Sequence, residues 1–99
     1  MNYRHAFHAG NFADLLKHAA LLEILARMQA ESGALQVIDT HAGAGAYDLR
    51  SEAARKSGEA QAGIVRLLEA QDAPAAFDAL KAAVSRFNGG GPPHLYPGS

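Results

Sequence analysis

Two stretches of this sequence hold residue types that could do chemistry. The first is Asp39-Thr40-His41-Ala42-Gly43-Ala44-Gly45, an acidic residue followed by a glycine-rich turn. Glycines at 43 and 45 let a backbone turn sharply and approach a bulky ligand that a Cβ would hold off. A phosphate-binding P-loop needs Gly-Lys-Ser/Thr here, and none is present. A dinucleotide site wants a third glycine three residues after the second, where Asp48 stands. The third nucleotide-type reading is S-adenosylmethionine, whose turn needs an acidic residue at a strand end and Gly-x-Gly against the amino acid half of the cofactor. A plain glycine-rich turn is the alternative.

The second stretch is Tyr3-Arg4-His5-Ala6-Phe7-His8-Ala9-Gly10-Asn11, followed by Asp14 and Lys17-His18. It is rich in rings and charged groups. Each group also has a purely structural reading. His5 and His8 could form a metal pair, but no carboxylate or thiol at matching spacing completes a site. Lys17 could be a solvated helix residue, His18 a satisfied histidine near the core, and Tyr3 an exposed ring at a mobile terminus.

These residues must be held by secondary structure. Asn11 reads as a helix N-cap, with Asp14 three residues on as a short variant of the capping box. Leu15, Leu16, Ala19, Ala20, Leu22, Ile24, Leu25 and Met28 fill a broad apolar face at helical spacing, and Gly33 supplies the stop. The expected helix covers about 11–31. Ala34 to Asp39, with Leu35, Val37 and Ile38, reads as a buried parallel strand running into the glycine-rich turn. Helix, strand and glycine-rich turn in that order begin a doubly wound sheet. Residues 51 to 88 are Ala-rich and carry two helical patterns, Ile64-Val65-Leu67-Leu68 and Phe77-Leu80-Val84-Phe87. Asp72 and Pro74 break them apart, with Asp72 or Ala73 expected to cap the second helix.

Bulk composition sets the outer limits. Ninety-nine residues allow one domain at most. A single strand cannot form a sheet, so the chain is expected to be a piece of a longer protein. A formal net charge of −1 argues against attachment to nucleic acid by bulk charge alone, though not against a local basic patch. With no cysteine, neither a disulfide nor a thiolate metal site is possible. Neither a signal peptide nor a membrane span is evident, so a cytoplasmic protein is expected.

Asp39-x-x-Ala42-Gly43-x-Gly45 looks like the first motif of amino-methyltransferases acting on adenine or cytosine. The N-terminal segment narrows the likeness. Tyr3–Asn11, Asp14, Lys17-His18, the turn 39–45 and Tyr96-Pro97-Gly98-Ser99 together closely resemble the RlmJ-type bacterial 23S ribosomal RNA adenine-N6 methyltransferases. Gly58-Glu59 and Phe87-Asn88 also look familiar. The resemblance runs the whole chain in order and covers the first third or so of a family member.

What the resemblance implies is concrete. The fold would be α/β, the start of a Rossmann-like methyltransferase, mostly helical in this portion. Residues 1–50 would open that domain, 51–91 would form an inserted helical subdomain, and 92–99 would return to it. Lys17, His18, His41 and Ser99 would line an S-adenosylmethionine site whose turn is formed by Gly43 and Gly45. Tyr3 would sit near the target adenine, with an aromatic face suited to a stacked or flipped base. Arg4 and His5 would neighbour RNA phosphate. The partner would be 23S ribosomal RNA, with no membrane and no metal, and the parent would be a monomer. The family's Asp-Pro-Pro-Tyr motif does not occur in these residues, nor does a later acidic residue to hold the cofactor ribose. This portion alone is therefore expected not to catalyse and to bind cofactor weakly or not at all. A free-standing RNA-binding or ribosome-associated module is the competing reading. A dinucleotide or small-molecule enzyme is disfavoured by the missing third glycine.

Overall fold

Asn11 starts the longest element of the computed structural model, which describes residues 3–98. Its side-chain oxygen accepts the Asp14 N–H at 2.8 Å, satisfying one of the donors that a helix start leaves without a partner. Helix α1 then runs Phe12–Ser32, and Gly33, at φ +79°, ends it as expected. Asp14 does not close a reciprocal capping box. Its carboxylate reaches past Asn11 to the Gly10 N–H at 3.0 Å. Before α1, a single 3-10 turn at His5–Phe7 folds the N-terminal segment against the helix start.

The second half is a series of short helices. α2 spans Glu52–Ser57, capped by the Ser51 hydroxyl on the Ala54 N–H. A widened π-type turn at Gln61–Val65 leads directly into α3, Arg66–Glu69. The widened turn lies against the N-terminal loop, where the Ile64 N–H donates to the Gly10 carbonyl at 2.9 Å. Gly63 permits this approach, because a methyl there would overlap the Gly10 carbonyl oxygen. After the expected break near Asp72 and Pro74, a 3-10 turn at Ala75–Phe77 feeds α4, Asp78–Phe87. Neither Asp72 nor Ala73 caps this helix. Pro74 leads the short turn instead, its fixed φ suited to that position.

The expected strand over 34–39 is not formed. Those residues join no ladder, and Val37 and Ile38 stand 65% and 75% exposed. The physical reason is the absence of a partner: a parallel strand is stable only between neighbours, and the described residues offer it none. The sheet here is a two-stranded antiparallel pair instead. β1, Ala46–Asp48, pairs with β2, Leu95–Pro97, with Tyr47 opposite Tyr96.

The core lies where α1, the widened turn, α4 and β2 meet. Leu15, Ile64, Leu80, Val84 and Tyr96 fill it, the last four fully buried. Each such side chain contributes about 1.5–3 kcal/mol by leaving water. Asn88, just past α4, locks β2 onto this core. Its amide donates to the carbonyls of Val84 and Leu95, and its oxygen accepts the N–H groups of His94 and Leu95. Through that latch, α4 fixes where Tyr96 points.

Candidate functional site

A cavity of about 580 Å³ opens between the start of α1, the N-terminal segment, the glycine-rich turn and the β1–β2 pair. That is within the range of pockets that hold small molecules. α1 supplies the floor. Asp14, Lys17 and His18 fall on one face because residues three and four apart are neighbours on a helix.

Asp14 is the hub. Its side chain is 4% exposed and accepts from three directions. Oδ2 takes the Gly10 N–H at 3.0 Å and the His5 Nε2–H at 2.8 Å, and Oδ1 faces the Lys17 ammonium at 3.3 Å. Burial works against its ionised form. The Gly10 amide, His5 and Lys17 outweigh that, and the carboxyl is held below its usual value. Because a carboxylate can only accept, it fixes a proton on His5 Nε2, and the Tyr3 hydroxyl lies 2.6 Å from Nδ1 on the other side of the ring. Tyr3 also stacks on His8 at a 5.4 Å centroid separation, so the mouth of the cavity is aromatic.

His18 forms the deepest polar point. It is 7% exposed, stacks against Tyr96, and has Nδ1 2.7 Å from the Tyr96 hydroxyl. Nε2 is buried without a hydrogen-bond partner among the described residues. Buried polar atoms are nearly always paired, so this one calls for a partner from outside the described residues, a ligand or an ordered water. Burial pushes the His18 pKa down, the Asp14 carboxylate opposes this, and Lys17 and His5 reinforce it. The ring is therefore neutral at pH 7.

The opposite wall comes from the glycine-rich turn. The His41 backbone N–H donates to Asp39 Oδ1 at 3.0 Å, and its ring Nδ1 lies 2.8 Å from the Thr40 hydroxyl. Tyr47, carried by β1, presents its hydroxyl to the Ala44 N–H at 3.2 Å and its ring to His5 edge-on at 5.0 Å. A Cβ on Gly43 would come within 2.6 Å of that hydroxyl. Neither Gly43 nor Gly45 has a positive φ, so the turn does not depend on left-handed backbone. Gly98, at the end of β2, packs against the turn from below: its N–H donates to the Gly45 carbonyl at 2.9 Å, and a Cβ there would strike the Ala44 carbonyl.

Six of the residues singled out from sequence thus line one cavity: Tyr3, His5, Lys17, His18, His41 and Gly43. Two do not. Arg4 turns away to place its guanidinium over the Phe7 ring at 5.7 Å, and Gly45 supports the turn from outside the cavity. Ser99 lies outside the described residues. His5 and His8 do not face one another as a metal pair, since His5 pairs with Asp14 and His8 with Glu59 at 2.8 Å each. Among the described residues no three metal-ligating side chains gather, and no helix is long and apolar enough to cross a membrane. Sequence reasoning missed Asp14 as a site residue because its capping position explained it fully. It also missed Tyr47 and the role of Tyr96, whose contacts depend on a strand pairing across nearly fifty residues.

A family profile described as ribosomal RNA large subunit methyltransferase D, RlmJ, matches residues 32–99. Among curated proteins, ribosomal RNA large subunit methyltransferase J of Escherichia coli (strain K12) is 43% identical over 99 residues, covering 100% of this chain and 35% of the relative. The protein of the same name from Haemophilus influenzae (strain ATCC 51907 / DSM 11121 / KW20 / Rd) is 38% identical over 91 residues, covering 92% of this chain and 32% of the relative. The chain therefore spans about a third of the length of the curated relatives it matches. The profile takes in His41, Gly43, both strands and the residues that latch them, while the relatives' likeness extends to the α1 face carrying Lys17 and His18. With the profile matching well over half of its residues, the chain belongs to the RlmJ family of ribosomal RNA large subunit methyltransferases.

Proposed function

We propose that this chain is the opening portion of an S-adenosylmethionine-dependent methyltransferase that modifies the exocyclic N6 of an adenine in 23S ribosomal RNA. The observation that carries the reading is the buried, unpartnered His18 Nε2 in the wall of a cavity that also takes in Lys17, His41 and Gly43. A cofactor with several acceptor atoms fits that donor set, and Gly43, held close by the Tyr47 hydroxyl, keeps the turn beside it compact. When bound, the cofactor supplies an activated methyl group on sulfur.

The chain's own residues divide the remaining work. His18, His41 and Lys17 bind and orient the cofactor, with Ser99 completing the same wall. Gly43 and Gly45 form the turn beside it. Tyr3, ordered by His5 and His8, offers a ring to the adenine; with both His5 ring nitrogens engaged by Tyr3 and Asp14, Arg4 is the group of this segment offered to RNA phosphate. The groups that hold the exocyclic amine are supplied by the remaining two thirds of the protein, so this portion alone does not transfer methyl groups. In the parent, residues 1–50 and 92–99 belong to a Rossmann-like domain and 51–91 to a helical insertion. The protein is cytoplasmic and works as a monomer.

The test is cofactor binding by calorimetry on the full-length protein. His18→Ala and His41→Ala weaken S-adenosylmethionine binding about 10-fold, the worth of roughly one hydrogen bond each. Tyr3→Ala lowers turnover with cofactor affinity unchanged. Equal loss of binding in all three would show that this division of roles is wrong.

A further inference from the structure

His18 and Tyr96 meet deep in the wall, 78 residues apart in sequence, and their hydrogen bond can be written two ways. In one, Nδ1–H donates to the phenol oxygen. The phenol proton then has no acceptor among the described residues, and Nε2 becomes a bare buried acceptor. Two buried polar functions are left unsatisfied. In the other, the phenol donates to Nδ1, the proton sits on Nε2, and only that Nε2–H is left over. Each unsatisfied buried group is costly, so the second arrangement wins. Tyr96 has little freedom to choose otherwise. It is fully buried, its ring lies against His18 with an interplanar angle of 21°, and β2 is pinned by Asn88 on one side and by Gly98 on the other.

We propose that Tyr96 is a positioning residue that fixes His18 with its proton on Nε2, so that the cavity receives its ligand at that point through a hydrogen-bond acceptor. For the cofactor this means that an acceptor (a carboxylate or hydroxyl oxygen, or an adenine ring nitrogen), and not the ammonium group, faces His18. Only this identification of the ligand rests on the function proposed above. The tautomer follows from the geometry.

The experiment is long-range proton–nitrogen correlation NMR on full-length protein carrying ¹⁵N-labelled histidine, with His18 assigned from the signals lost in His18→Gln. Without ligand, His18 shows a protonated Nε2 and a bare Nδ1. In Tyr96→Phe the single tautomer gives way to a mixture, and affinity for S-adenosylhomocysteine falls roughly 3- to 10-fold, the worth of one hydrogen bond's orientation. A proton on Nδ1 in the unaltered protein overturns the proposal without recourse to any variant. So does a Tyr96→Phe protein that keeps one Nε2–H tautomer and full affinity. If Nε2 carries the proton and responds to Tyr96→Phe, but its signal does not move on adding S-adenosylhomocysteine, the positioning role stands and the cofactor reading fails.

Discussion

Asp14 and His18 sit one helical turn apart on the same wall and answer to acid in separate windows. Both have pKa values below their usual ones, 3.8 for Asp14 and 6.5 for His18. For His18 the unfolded chain takes up a proton near pH 6.5 while the folded chain resists it, so its contribution to stability is complete above that pH and lost as the pH falls through the folded value. For Asp14 the carboxylate's contribution is complete above pH 3.8 and is lost only below it. Chemical denaturation should therefore show stability dropping as the pH falls below about 6.5, and His18→Gln should remove part of that slope. An unchanged slope would mean that the His18 ring is charged or solvated. Lys17, His18, His41 and Gly43 were legible through motifs that resemble a known family, their residue types alone leaving plain structural readings open. Asp14, Tyr47 and Tyr96 were not, because what they do is set by partners brought in from other elements.

At the scale of elements, local signals were read well and long-range pairing was not. The Asn11 cap and the Gly33 stop delimit α1 almost to the residue, and the break at Asp72 and Pro74 separates α3 from α4. These are interactions within a few residues of one another. β1 and β2 are three residues each and have no alternation to see, and nothing near either announces its partner. The segment 34–39 has the composition of a strand but not the neighbours, and composition alone does not make a ladder. The element that decides the site's shape is the Asn88 latch. Asn88→Ala removes its four hydrogen bonds and leaves the Leu95 carbonyl and the His94 and Leu95 amides short of partners. The expected loss is about 2–3 kcal/mol by denaturant unfolding, with the tautomer of His18 disturbed as β2 loosens. A loss within about 0.5 kcal/mol, the range of an ordinary surface substitution, would show that β2 is held by other contacts.

At the scale of the molecule, α1 is only half used. One edge, with Leu15 and Leu22, joins the core, while Leu16, Leu21, Ile24 and Met28 remain exposed, as do Val37 and Ile38. So much apolar surface on a small unit calls for cover. In the proposed parent it is covered by the rest of the methyltransferase domain. By itself the 99-residue chain should associate with itself, its apparent mass in light scattering rising with concentration, and Ile24→Gln with Ile38→Thr should reduce the effect. A clean monomer at all concentrations would mean that this face is tolerated in water.

The most direct measurement is transfer of labelled methyl groups from S-adenosylmethionine to protein-free 23S ribosomal RNA, comparing this chain with the full-length protein. Label appearing on adenine N6 with the full-length protein, and none with the chain alone, is the predicted result. No transfer by either, together with no cofactor binding by the full-length protein, would contradict the proposed chemistry and favour an RNA-binding module that retains the cavity without using it for methylation.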